Sequence, residues 1–423
     1  MLPSLPDEIS AFLQRSVAVF GGGVSGQGVL GLLAEIGGVG QVYDQKSADA
    51  ENQFTASHAA RHGLVVYSPG FPVEHPWLAT ARAAGCVCLG ELDFASLFWR
   101  GEILAITGTN GKTTLTEFLT HALVMAGRTT HMTGNIGYPF SRFVIEQTGR
   151  VNIAVCEVSS FQAETLEHLR PNAMFWTNFA EDHLERHPGM KAYFAAKWKL
   201  LERTPPGSVF VSTSVQKQAA ELGYTLPAAA VVVATEGQSA DPRLAGTVFA
   251  QYPQLENFLL AAAWWRQAGL SEAKLYLAAK NFRLGQHRLA KVGVKRGVTF
   301  WNDSKATNFH AVEAALGTFP SPVLWIGGGK AKGGDLAGFA NRIAGRIRHA
   351  FLIGETQPIL AELLRGNETP VTASASLEEA VRAAFAQATP GDTILLSPGF
   401  ASFDMFRGYD DRGLQFETLV ENL

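Results

Sequence analysis

Three cysteines in 423 residues, Cys86, Cys88 and Cys156, are an odd number without CxxC spacing, so neither a disulfide framework nor a zinc site is indicated. A reducing compartment is the default expectation. Long apolar runs are also missing. The strongest, FLLAAAWW at 258–265, falls well short of the roughly 20 residues needed to span a bilayer. The first fifteen residues, MLPSLPDEISAFLQR, lack the basic start and apolar centre of a secretory signal. Charge of one sign is scarce as well: the formal net charge is -3 and no basic tract is present, which gives no footprint for nucleic acid or an anionic membrane. The composition therefore predicts a soluble cytoplasmic protein. Hydrophobic content of 47% supports large cores, and the length predicts about two or three domains at roughly 150 residues each.

The chain is organised around ILAITGTNGKTTLTE at 103–117. Its apolar start predicts a buried strand, GTNGKTT a tight turn, and Leu115 to Val124 a helix. Such a turn cradles phosphate: Gly108 and Gly111 admit dihedrals barred to other residues, so the amides of Thr109, Asn110 and their neighbours converge at a helix N-terminus. Lys112 would neutralise the β- and γ-phosphates, Thr113 would offer its hydroxyl to Mg²⁺, and Thr114 closes the motif. The strict P-loop pattern places glycine where this chain has Ile106, leaving a shorter GxxGKT form.

Upstream, SVAVF at 16–20 reads as a strand, GGGVSG at 21–26 as a turn opening a helix, and Gln41 to Tyr43 as a second strand ending at Asp44. This GxGxxG with a following acid implies a Rossmann-like start and a phosphate or ribose ligand, without choosing between a nicotinamide and another nucleotide. Leu64 to Tyr67 and SPG at 68–70 extend the unit to a boundary near residue 98. Downstream, GNIG carries Asn135, and the strand Val151 to Cys156 delivers Glu157 at a sheet edge beside the cradle, where it could share the Mg²⁺ of Thr113. Met174 to Thr177 forms another strand leading to NFAEDHLERH, in which His183 takes a metal or substrate role. On the helix 190–202, Lys197 in AAKWK reads by chemistry alone as a solvated lysine. Residues 213–250 carry little pattern. Gln254 to Gln267 reads as a helix, more core than site.

A second boundary lies near RLGQHR at 283–288. Beyond it, a strand to Trp301, a helix to Leu316 and strands at 323–326, 349–353 and 393–396 alternate as in a parallel sheet. The loops after these strands carry Asp303, Lys305, Lys332, Ser402 and Arg407. The fold class is thus α/β with three domains: a Rossmann-like N-terminal domain (1–98), a central P-loop-type ATPase domain (99–285) and a Rossmann-like C-terminal domain (286–423).

GTNGKTT, GNIG, EVSSFQ, NFAEDHLERH with AAKWK, HR, NDSKATN and GGGKAKGGD stand in this order along most of the chain, and together they resemble the Mur ligase family. Within it, GGGVSG, SPG and LLSPGFASFDMFRGYDDRG at 395–413 are similar to the members that add D-glutamate to UDP-N-acetylmuramoyl-L-alanine. The resemblance implies an ATP-dependent amide-forming enzyme of peptidoglycan precursor synthesis, acting as a monomer with Mg²⁺, two ions in all. It implies catalytic roles for Lys112, His183 and a carbamylated Lys197, and metal contacts at Thr113, Glu157 and His183. ATP contacts fall on the 108–114 turn, Asn257, Arg288 and Asp303, and UDP-substrate contacts on Val24, Ser25, Asp44, Asn135 and Ser159. Lys332, Ser402 and Tyr409 would bind D-glutamate. Two departures concern the adenine side: Pro253 and Gln254 stand where the family has His and Asn, and Ala290 replaces a family glutamate. The alternatives are another Mur or folylpolyglutamate-type ligase, a silent nucleotide-binding regulator, and a nicotinamide oxidoreductase resting on GGGVSG alone.

Overall fold

The computed structural model describes residues 7–47, 50–234 and 241–423, and the chain divides into two compact units. The first comprises residues up to Phe179, Lys191–Thr247 and Glu256–Phe282; the second comprises Ala180–Met190, Val248–Leu255 and Arg283–Leu423. The segment carrying His183 thus packs with the C-terminal residues.

The first unit holds two all-parallel sheets. In one, β1 (Val17–Phe20), β2 (Gly40–Tyr43), β3 (Leu64–Tyr67) and β4 (Val87–Gly90) are ordered β2-β1-β3-β4. The other contains β5 (Glu102–Thr107), β6 (Thr130–Gly134), β7 (Ile153–Glu157), β8 (Ala173–Trp176), β9 (Val209–Ser212) and β10 (Val231–Val233), ordered β10-β9-β8-β5-β7-β6. Strands covered on both faces read as unbroken apolar runs, as VAVF and IAVCE do, and every residue of β1 and β7 is buried. Chain order reverses about β1 and again about β5, and ligands of open α/β sheets collect outside the carboxyl ends of strands at such reversals. The weakly patterned 213–250 stretch contains the helix Thr213–Glu221 and the edge strand β10, while its residues 235–240 lie outside those described.

Two buried acids on the short helix Glu91–Ser96 join the two sheets' layers. Glu91 Oε1 accepts from the amide and hydroxyl of Ser141, both at 2.6 Å, on the helix Phe140–Gln147. Burial raises the Glu91 carboxyl's pKa, against the two Ser141 hydrogen bonds. Asp93 accepts from the amides of Glu167, His168 and Leu169 at 2.8–3.1 Å.

The second unit's sheet is ordered β11-β12-β16-β13-β14-β15. Its strands are β11 (Ala290–Lys295), β12 (Val298–Asn302), β13 (Val323–Gly327), β14 (Ile347–Leu352), β15 (Val371–Ala373) and β16 (Thr393–Leu396). The fully parallel sheet expected from the sequence is corrected at one edge: β11 and β12 pair antiparallel around Arg296 (φ 48°) and Gly297 (φ 77°), two positive-φ residues of the kind that close a two-residue hairpin.

Candidate active site

The glycine turn after β5 is held from three sides. Gly108 has φ 148°, and a Cβ there would lie 1.9 Å from Thr177 Oγ1; Gly111 has φ 82°, and its Cβ would meet Asn257 Oδ1 at 2.7 Å. Both positions therefore require glycine. Asn178, two residues after β8, brackets Asn110: its Oδ1 accepts the Asn110 amide at 2.8 Å and its Nδ2 donates to the Asn110 carbonyl at 3.1 Å. Thr177 Oγ1 donates to that carbonyl too, at 2.5 Å. The helix begins at Lys112, three residues earlier than the sequence suggested, so the amides of the turn stand at its N-terminus. Asn257 is buried against Gly111, which reconciles its core-like pattern with a place at the site.

Two lysines reach the turn. Lys112 Nζ donates to the carbonyls of Gly108 (3.0 Å) and Thr109 (2.8 Å). Lys197, on the helix Met190–Glu202, is 1% exposed, donates to Gly108 O at 2.8 Å and Thr107 Oγ1 at 3.3 Å, and lies 4.9 Å from the Tyr193 ring centroid. The solvated lysine read from sequence chemistry is corrected here. The helix's inner face turns this residue into the site, among Tyr193, Phe194 and Trp198.

Glu157 ends β7, paired with Ile106 of β5, and is buried. Its Oε1 accepts from Asn135 Nδ2 at 2.8 Å, and nothing among the described residues hydrogen-bonds its equally buried Oε2. A buried carboxylate oxygen without a donor is unfavourable in isolation and suits a cation. No cluster of three or more His, Cys, Asp or Glu among the described residues is arranged for a metal, so an ion at Glu157 would complete its shell with hydroxyl, phosphate or water oxygens.

In the β2-β1-β3-β4 sheet, Val24 is exposed and Ser25 half-buried at the start of the helix Val24–Glu35. Asp44 Oδ2 accepts the Gly22 amide at 2.7 Å and Oδ1 the Lys46 amide at 2.8 Å; these bonds, Gly22's first, hold its carboxyl below the usual range. Asp44 thus shapes the glycine turn. Ser159 caps the helix Ser160–Ala163 in a reciprocal box with Gln162, so the pattern read as a substrate motif also has a local structural use.

In the second unit, His183 has φ 55° and lies near Glu185 (Nδ1 to Oε1, 3.3 Å) and Asp182 (Nε2 to Oδ2, 3.7 Å). Lys332 Nζ stands 3.4 Å from Asp182 Oδ1 and from Thr307 Oγ1. Asp303 accepts from Leu289 N (3.0 Å) and Ser397 Oγ (2.8 Å), yet burial pushes its carboxyl up to about 7. The charge of Arg288 lowers that value only in part. Ser402 is buried after β16, and the Lys305 ammonium sits 3.8 Å above the ring of Tyr409, the first residue of the helix Tyr409–Glu421. Sequence reasoning missed Asn178, Asp182 and Arg412. Buried Arg412, pushed down to about 10 by burial, ties the Ser304 and Phe400 carbonyls together at 2.9–3.3 Å. All three lie inside motifs already singled out, at strand ends or in the 395–413 stretch, and that position was the available signal.

Residues 106–270 match the Mur ligase middle domain, and residues 287–400 the Mur ligase glutamate ligase domain. The chain is 32% identical over 449 residues to the UDP-N-acetylmuramoylalanine--D-glutamate ligase of Alkaliphilus oremlandii, covering 97% of this chain and 99% of that one. The ligase of the same name from Gloeobacter violaceus is 36% identical over 440 residues, covering 96% and 99%. The chain belongs to the Mur ligase family. As a Mur ligase it is an ATP-dependent ligase of peptidoglycan precursor synthesis. Mur ligases of other types share its fold. The UDP-N-acetylmuramate-alanine ligase MurC of Thermotoga maritima superposes with a TM-score of 0.60 at 16% identity, covering 96% of this chain and 99% of that chain. The MurF ligase of the same organism, solved in complex with ADP, gives 0.59 at 15%, covering 85% and 95%.

Proposed function

We propose that this Mur ligase joins the terminal carboxylate of UDP-N-acetylmuramoyl-L-alanine to the amine of D-glutamate. The burial of Lys197 against the phosphate turn carries the reading, together with full-length relatives that bear this name. A free carboxylate does not acylate an amine at neutral pH, because oxide is too poor a leaving group. Transfer of the γ-phosphoryl group of ATP to that carboxylate gives an acyl phosphate, and attack by the amine expels phosphate. Lys112 releases the Gly108 and Thr109 carbonyls to reach the β- and γ-phosphates, and the turn's amides hold their oxygens. Mg²⁺, held by Glu157 and Thr113 with a second ion near His183, would supply charge neutralisation at the transferring phosphoryl group.

Lys197 takes up CO₂ as a carbamate in this reading. Only a neutral amine captures CO₂, and desolvation at this buried position favours neutrality. Residues 1–98 hold the UDP substrate through Val24, Ser25 and Asp44, with Asn135 and Ser159 toward its muramoyl end. Residues 99–285 hold ATP, with Asn257 on the nucleotide and Arg288 and Asp303 from beyond the boundary. Residues 286–423 hold D-glutamate through Lys332, Ser402 and Tyr409. The protein works as a cytoplasmic monomer without nucleic acid or membrane; no helix among the described residues is long and apolar enough to cross a bilayer. ADP release with UDP-N-acetylmuramoyl-L-alanine, measured with and without D-glutamate, tests this reading. Release that ignores D-glutamate, or follows meso-diaminopimelate or L-alanine, rejects it.

A further inference from the structure

A cavity of about 490 Å³ lies wholly within the first unit, walled by β3, β4, the segment 164–167 and the end of the helix Met190–Glu202. That volume falls within the roughly 300–1,000 Å³ of small-molecule sites. None of the residues assigned above to ATP, the UDP substrate or D-glutamate lines it. The helix keeps it apart from the glycine cradle: Lys197 and Lys199 are two positions apart, and residues so spaced do not share a helix face. The first is buried against Gly108, and the second is exposed on the cavity wall.

Arg82, Lys199 and Arg203 bring three cations to this wall, and among the described residues none of them forms an ion pair. Each donates to a backbone carbonyl: Arg82 Nη1 to Val73 at 2.8 Å, Lys199 Nζ to Glu164 at 2.6 Å, and Arg203 Nη1 to Lys199 at 3.1 Å. Arg203 Nε is buried, and no described residue accepts from it. A charged donor withdrawn from water without an acceptor is costly, and an anion relieves it. The planar guanidinium suits a carboxylate, which can take two of its hydrogens at once. Glu164 and Glu167 also line the cavity, so three cations and two carboxylates leave one positive charge. Tyr67 and Cys88 add none at neutral pH, because burial pushes the phenol up to about 12 and the thiol up to about 11. With Leu166 they supply an uncharged surface. A dianion would overshoot the single positive charge, and a monoanion balances it.

We propose that this cavity binds a small organic molecule with one carboxylate, its anion on Arg203 and Lys199 and its apolar body against Tyr67 and Leu166. The inference does not rest on the ligation chemistry proposed above.

Benzoate is the probe, titrated by calorimetry into the full chain saturated with ADP so that the cradle is occupied. It should bind one to one, at least about tenfold tighter than benzamide, which has the same ring without the charge. Phenyl phosphate, a dianion, should bind no tighter than benzoate. Arg203→Gln should weaken benzoate by roughly tenfold or more and leave ADP affinity within about twofold. Lys199→Ala, at an exposed position, should weaken it in the same direction and decides the matter if the Arg203 variant does not fold. Absence of benzoate binding, equal binding of benzamide, or benzoate affinity unchanged in the variants would each overturn the proposal. Tighter binding of phenyl phosphate would overturn its assignment to a monoanion. Failure of D-glutamate-dependent ADP release would reject the ligase reading and leave this titration unaffected.

Discussion

The side-chain nitrogens of Lys112 and Lys197 donate to one carbonyl oxygen, that of Gly108, at 3.0 and 2.8 Å. Two lysines converging on a single backbone acceptor suit a place where an anion is to be received or where one of the two amines is neutral. Lys112→Ala should remove the phosphate contact with little effect on the fold. D-Glutamate-dependent ADP release is expected to fall at least about 100-fold, with the melting temperature close to wild type. Near-normal turnover would remove Lys112 from the mechanism.

Lys197→Arg tests the second lysine. Arginine retains the positive charge but cannot lose its proton to capture CO₂. Turnover should drop by about 100-fold or more, and wild-type protein equilibrated with ¹³C-labelled bicarbonate should show a carbamate resonance that the variant lacks. A labelled wild type without that signal would contradict the modification.

Asn178→Ala removes both arms of the bracket around Asn110. One amide and one carbonyl lose a partner, a loss of about 1–3 kcal/mol in stability. The KM for ATP should rise by roughly tenfold while that for D-glutamate changes little, which a two-substrate kinetic analysis reads directly.

Gly111→Ala places a methyl group 2.7 Å from Asn257 Oδ1 at φ 82°. The backbone contribution alone is about 1–2 kcal/mol. Nucleotide binding, followed by calorimetry with ADP, should be lost before the protein unfolds.

Glu256, just inside the helix Gln254–Gln267, is buried, and desolvation alone pushes its carboxyl up to about 7 from an ordinary 4.5. Between those values the unfolded chain has released the proton and the folded chain still holds it. Stability contributed by this group is therefore full below about 4.5 and falls as pH rises toward 7, by about 3 kcal/mol at most. Glu256→Gln should flatten the decline, so that the variant's advantage in denaturant midpoint grows from pH 5 to pH 8. A constant difference across that range would refute the assignment.

Apolar runs and glycine turns made the strands around the cradle legible, because both are dictated locally: a doubly covered strand must be apolar, and a tight turn must be glycine. Lys197 was legible only through resemblance, since burial of one helical lysine depends on which face the distant turn covers. The β11–β12 hairpin escaped because its turn, Arg296-Gly297, departs from the Asn-Gly and Asp-Gly pairs that announce such loops. Asp182 escaped because nothing in a run of acids tells which one meets a lysine 150 positions later. Asp44 and Ser159 show the reverse. Each fits a ligand motif, and each also serves a neighbouring backbone amide that no motif mentions.

The stitches made by Glu91 and Asp93 give the first unit the character of a measuring jig. With the layer behind β1 fastened by hydrogen bonds to the layer behind β5, the span from the GGGVSG turn to the glycine cradle is set by the protein and not by its cargo. If the proposed sites hold, a compound clasped at its uridine end would reach the phosphoryl donor only when its own backbone has the right number of bonds. Length would then become a criterion of selection, set by the spacing of the two turns.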